Sequence, residues 1–172
     1  MFLPENCAFM GSSSDSKVES AEDLEGPSLK LYRQVAKDEQ LWLSLGGFPL
    51  KTKDPSKLSN SQIIIDDSGE IRSVYNKTHL FDVDIPGNVM NESKFVEAGS
   101  EIVPPIDTPI GRLGLSICYD IRFPSLYRAL AVQGAQIMTV PSAFLVKTGA
   151  AHWDVLLRAR AIENQCYIIA AA

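Results

Sequence analysis

The chain has 172 residues, 45% hydrophobic and 22% charged, the balance of a single soluble globular domain. Its formal net charge of −5 leaves no positive field to gather nucleic acid. No apolar run is long enough to span a bilayer, and MFLPENCAFM carries no basic segment of a secretory signal.

Phe2-Leu3-Pro4 reads as the end of a buried strand, and Asn6 to Pro27, rich in Ser, Asp and Glu, as a loop. Ser28 to Gln40 has helical spacing, pairing Leu31 with Val35 and Tyr32 with Ala36. LWLSLGGF (41–48) is a buried strand run, and Pro49 to Asn60 a polar surface loop. SQIIIDD and EIRSVY flank Ser68-Gly69, the pattern of a β-hairpin. Asn76 to Ser100 has little periodicity, carries Pro86, Gly87 and Gly99, and reads as a long ordered loop of the kind that often carries function. GRLGLSIC (111–118) is a strand. A helix follows, with Pro124 in its first turn and Gly134 as its stop. AQIMTVP is the next strand, His152 to Asn164 an amphipathic helix, and CYIIAAA a closing strand. The order of elements indicates α/β.

Three cysteines at wide spacing, Cys7, Cys118 and Cys166, with no CxxC, argue against a disulfide framework or a zinc knuckle and for a reducing compartment. Cys118 is the reactive candidate. It ends an apolar strand just before a helix, where a thiol is reachable and helix N–H groups favour a thiolate. An unassisted thiol is only about 3% ionised at neutral pH, so it needs a base or a positive neighbour. Lys77 stands where a strand enters the long loop. Glu5 follows a buried strand end in the same way, and Glu92 lies in the loop. Each of these, read alone, also fits an ordinary structural residue, and Cys118 a buried inert thiol. His79 and His152 keep two other readings open: a Cys–His hydrolase pair with Cys118, or a zinc site of the three, although neither has ligand-like local spacing.

Taken together, FLPE, NKTHLFD and SICYDIRFP occur at three strand ends in that order. With LWLSLGGF, Glu92-Ser93, TVPSAF and GAAHWDVLLRARAIENQCYIIAAA, the chain resembles the nitrilase superfamily of carbon–nitrogen hydrolases. Within it, the resemblance is to the Nit1-like branch of deaminated glutathione amidases. The resemblance implies one carbon–nitrogen hydrolase domain over 1–172: an α-β-β-α sandwich of two mostly antiparallel sheets with outer helices. Here it is incomplete, lacking the family's first strand–helix and its C-terminal segment. It implies a Glu5–Lys77–Cys118 triad, with Glu5 as base, Cys118 as the nucleophile forming a thioester, and Lys77 with the Tyr119 backbone N–H as oxyanion hole. Glu92 would support Lys77 and substrate, and Arg122, Phe144 and Thr148 would bind substrate. The resemblance also implies hydrolysis of a small 2-oxo-amide by water without metal or cofactor, and a dimer or tetramer joined through 152–164, with no nucleic-acid or membrane partner. The expected location is cytoplasmic, with mitochondrial forms. The competing expectation is a truncated, catalytically impaired form that serves as an assembly partner.

Overall fold

The computed structural model describes residues 1–11, 13–85 and 88–172. Its elements follow the order α1 (Ser14–Glu19), α2 (Pro27–Asp38), β1 (Leu43–Lys51), β2 (Leu58–Ile65), β3 (Ile71–Asn76), β4 (Asp82–Ile85) and β5 (Asn88–Asn91). They continue with β6 (Ile106–Thr108), β7 (Gly111–Gly114), α3 (Pro124–Val132), β8 (Ile137–Thr139), α4 (Val146–Asn164) and β9 (Tyr167–Ile169). One sheet is antiparallel, in the order β1-β2-β3. The second runs β6-β7-β8-β9, antiparallel at β6-β7 and parallel at the other two pairings.

The period of two along β2 builds the layers. Ile63 and Ile65 point outward, where they pack with Leu29 and Ala36 of α2. Ile64 points inward and meets Leu113, Leu115, Ile117 and Ile137 from the second sheet's side. Gln62, on that same inner face, hydrogen-bonds Thr139 of β8 at 2.9 Å and Ser44 of β1 at 2.8 Å, a polar stitch between the sheets. On the far side, Leu126 and Leu130 of α3 share a cluster with Met138, Trp153, Leu156 and Leu157. The result is the expected α-β-β-α sandwich, with α2 outside one sheet and α3 and α4 outside the other. Among the described residues no helix is long and apolar enough to cross a membrane.

Several local expectations are corrected. The 6–27 segment contains α1, whose start is held by a reciprocal capping box between Ser13 and Ser16. Serine takes the place of the usual Glu or Gln at its third position, and the helix buries no residue, so neither signal stood out. Much of Pro49 to Asn60 is strand, because β1 continues through Pro49 and pairs Lys51 with Leu58. The 76–100 segment folds a hairpin, β4 with β5; Pro86 and Gly87 lie outside the described residues. The first strand is reduced to a bridge of Phe2 with Ser44. Strand β7 ends at Gly114, and α4 begins at Val146, six residues ahead of His152.

Candidate active site

Glu5, Lys77 and Cys118 converge at one end of the sandwich. Glu5 follows the segment docked on β1 through the Leu3 N–H to Ser44, at 2.9 Å. Lys77 leaves β3 with its backbone pinned on both sides: its N–H donates to the Asn60 carbonyl at 2.8 Å, and its carbonyl accepts from Gly99 at 2.9 Å. Cys118 opens a 3-10 turn with φ of 45°, in the left-handed region that a side chain seldom adopts. Its N–H is tied to the Pro141 carbonyl at 2.9 Å. Backbone held in such a conformation is characteristic of sites where surrounding structure aims a reactive group.

Lys77 is buried between two carboxylates. Its Nζ lies 2.9 Å from Glu5 Oε1 and 3.0 Å from both oxygens of Glu92. The Ala143 N–H donates to the second oxygen of Glu5 at 3.0 Å, and the Phe81 N–H to Glu92 at 2.7 Å. Burial alone would raise the Glu5 carboxyl, but the Lys77 ammonium and the donors around Glu5 outweigh it and hold it below the ordinary carboxylate value. Burial likewise opposes the Lys77 charge, and Glu5 and Glu92 override that and raise its affinity for the proton.

Cys118 departs from expectation. Burial, then the charge of Glu5, push its thiol up to about 12, against the opposing pull of Lys77. At neutral pH the Cys118 side chain is therefore a neutral thiol facing an ionised carboxylate.

These groups line a pocket of about 210 Å³. Tyr119, Arg122, Phe144 and Thr148 line it as well. Among the described residues no acceptor engages the Tyr119 N–H, which immediately follows the sulfur-bearing residue. The Arg122 guanidinium lies 5.9 Å from the Tyr119 ring centre and 5.7 Å from that of Phe144. The arginine ion pairs among the described residues belong to Arg33, Arg72, Arg112, Arg158 and Arg160, and Arg122 forms none there.

The histidines are engaged elsewhere. His79 Nδ1 is 2.7 Å from Asp120 Oδ1, and its ring stacks on Phe123 at 3.6 Å. His152 Nδ1 is 3.3 Å from Arg122 Nη2. Neither hydrogen-bonds Cys118 among the described residues, and no group of three metal-ligating side chains gathers there.

Sequence reasoning missed three residues at the site. Asn60 joins Glu5 to Glu92, and Lys17 of α1 lines the pocket beside Phe95. Asp120 is fully buried and accepts from the Ile117 N–H at 2.8 Å and the Tyr75 hydroxyl at 2.7 Å. It also accepts from the His79 N–H at 3.1 Å and the Thr78 hydroxyl at 3.2 Å. It thus ties the Cys118 turn to the strand end that carries Lys77. Its place two residues after the candidate nucleophile was the one available signal.

The sequence matches the carbon-nitrogen hydrolase family over residues 1–172. The chain belongs to the carbon-nitrogen hydrolase family. Among its relatives, the nitrilase and fragile histidine triad fusion protein NitFhit of Caenorhabditis elegans is 52% identical over 176 residues, covering 100% of the chain and 40% of the relative. The crystal structure of that protein superposes with a TM-score of 0.93, covering 99% of this chain and 42% of that one. Mouse (Mus musculus) deaminated glutathione amidase is 47% identical, covering 99% of the chain and 54% of its own length. A mutant amidase from Nesterenkonia sp. AN1, with acrylamide added to its active-site cysteine, is 25% identical with a TM-score of 0.81, over 99% of this chain and 63% of that one. The chain spans about half the length of the curated relatives it matches.

Proposed function

We propose that this hydrolase chain is a thiol amidase acting on a small 2-oxo-amide such as deaminated glutathione. The observation that carries the reading is the seating of Lys77 between Glu5 and Glu92, with the Cys118 thiol facing Glu5 inside one pocket. Glu5 accepts the Cys118 proton as sulfur attacks the amide carbon. The oxygen that gains charge is met by the Lys77 ammonium and the Tyr119 N–H, donors fixed before the reaction begins. Glu5 returns the proton to the departing amine, leaving a thioester. Glu5 then takes a proton from water, hydroxide adds to the thioester carbon, and collapse releases the acid as Glu5 returns its proton to the departing sulfur, restoring the thiol. The names of the mouse relative and of the acrylamide-modified amidase support the substrate and the nucleophile.

Release of amine from deaminated glutathione, measured beside Cys118→Ala, tests the reading. Turnover by the native chain alone is expected; equal background rates for the two would leave the chain as an impaired form. Association through α4, where Val155 and Ile162 are exposed, belongs to the same proposal and is read by sedimentation.

Arg122 is placed to grip a substrate carboxylate. Losing one charge-assisted contact of about 1.5–3 kcal/mol, Arg122→Leu should raise KM roughly ten- to hundredfold for a carboxylate-bearing amide. A neutral amide of similar size should keep its KM, and equal effects on both would remove the assignment.

A further inference from the structure

Asn60 is nine-tenths buried and donates both of its amide protons to acids: to Glu5 Oε1 at 2.9 Å and to Glu92 Oε1 at 3.1 Å. The same two oxygens accept from Lys77 Nζ. Two carboxylates and two donors therefore close a ring. The amide orientation is fixed by chemistry, because ionised carboxylates only accept. The other end of the amide, Oδ1, is buried with no hydrogen-bond partner among the described residues. Leaving an acceptor unsatisfied costs stability, so the side chain is held there for its donors. The space comes from β1. Its pairing with β2 shifts between Leu45 and Phe48, and Gly47 takes a φ of +67°. A Cβ on Gly47 would stand 2.7 Å from Glu5 Cγ and 2.8 Å from Asn60 Oδ1.

We propose that Asn60, accommodated by the Gly46-Gly47 bulge, is a positioning residue that aligns Glu5 and keeps it an ionised base. The role rests on the amidase reading, in which Glu5 is the base. The charges explain the need. Glu5 faces Lys77 from the end of β3, Glu92 from a 3-10 turn (Glu92–Lys94) and the Cys118 thiol from the 3-10 turn it opens, while Asn60 and the Ala143 N–H supply neutral donors. One ammonium serves two acids 3 Å away, and paired acids in a dry site drive one of the two to hold a proton. A neutral amide bridging both acids compensates the extra charge without adding a second cation that would repel the Lys77 ammonium.

The Glu5 carboxyl can be followed by carbon-13 NMR of glutamate-labelled protein, its signal assigned by its loss in Glu5→Gln. Loss of one donor to a charged acceptor in Asn60→Ala should raise the Glu5 midpoint by about one pH unit or more. Asn60→Asp, which adds a third acid, should raise it further. The acid limb of kcat/KM should move upward in the same order, because the base is protonated at a higher pH. Gly47→Ala, pressing on both side chains, should raise the midpoint with Asn60 in place, and it provides the test should Asn60→Ala fail to fold. An unchanged midpoint in a folded Asn60→Ala or Gly47→Ala protein overturns the proposal. A raised midpoint without Cys118-dependent turnover of any amide supports the role of Asn60 and overturns the amidase reading.

Discussion

Lys77→Met should abolish most turnover and also destabilise the fold, with a penalty that shrinks as pH falls. Lys77 is 2% exposed and is the sole cation paired with Glu5 and Glu92 among the described residues. Removing one partner of a buried pair leaves an uncompensated charge and typically costs about 3–5 kcal/mol. The pH dependence reverses sign at the site. In the native chain the Glu5 carboxyl is held below its ordinary value, so its stabilising contribution is present above the unfolded carboxylate range and is lost as pH falls through the folded value. Without Lys77, burial is left to raise the Glu5 carboxyl. The folded state then takes up protons more readily than the unfolded one, and acid relieves the penalty. Urea unfolding of both proteins from neutral to mildly acid pH measures this difference; a penalty that grows toward acid contradicts the electrostatic account. In the proposed mechanism the loss of activity has its own origin, since removing one oxyanion donor costs about 10²–10³ in kcat.

Asp120→Asn should lower kcat by roughly 10²-fold although Asp120 has no assigned contact with substrate, because displacing a catalytic group by about an ångström costs that much. The carboxylate receives the Ile117 and His79 backbone N–H groups and the hydroxyls of Tyr75 and Thr78. An amide turns one acceptor end into a donor facing donors. One or more of those buried groups then loses its partner, at about 1–3 kcal/mol each. Tyr75→Phe removes a single bond to the same carboxylate and should cost about 1–2 kcal/mol with a small change in kcat. Thermal unfolding and kcat measured on both variants check the ordering. Equal kcat in Asp120→Asn and the native chain would show that the Cys118 turn holds its geometry without this tie.

The difference between Asp120 and Cys118 shows what kind of information the chain displays. Cys118 was visible because it ends an apolar run and begins a turn, a local pattern. Asp120, two residues on, looks like any acidic residue before a helix. Its partners Tyr75, Thr78 and His79 are more than 40 positions away. Asn60 was obscured for another reason. The run of Lys, Pro and Ser before it reads as an exposed loop, yet β1 carries Pro49 into the sheet and aligns it with Asn60. Helix α1 was hidden by composition, since a short polar helix that buries nothing has no apolar stripe to betray it.

The sequence by itself determined several of the elements. The apolar run Ile63-Ile64-Ile65 before a turn, the 3.6-residue spacing of α2 and the proline and glycine that bound α3 are local chemistry, each read within about a dozen residues. The order of FLPE, NKTHLFD and SICYDIRFP likewise pointed to the family and to the three residues proposed to react. Tertiary structure decided the electrostatics. Whether Cys118 rests as thiol or thiolate depends on burial and on a carboxylate 113 positions away in the chain, and so does the ionisation of Glu5. Desolvation and Coulomb energy are set by distance and depth in space, which spacing along the chain does not encode.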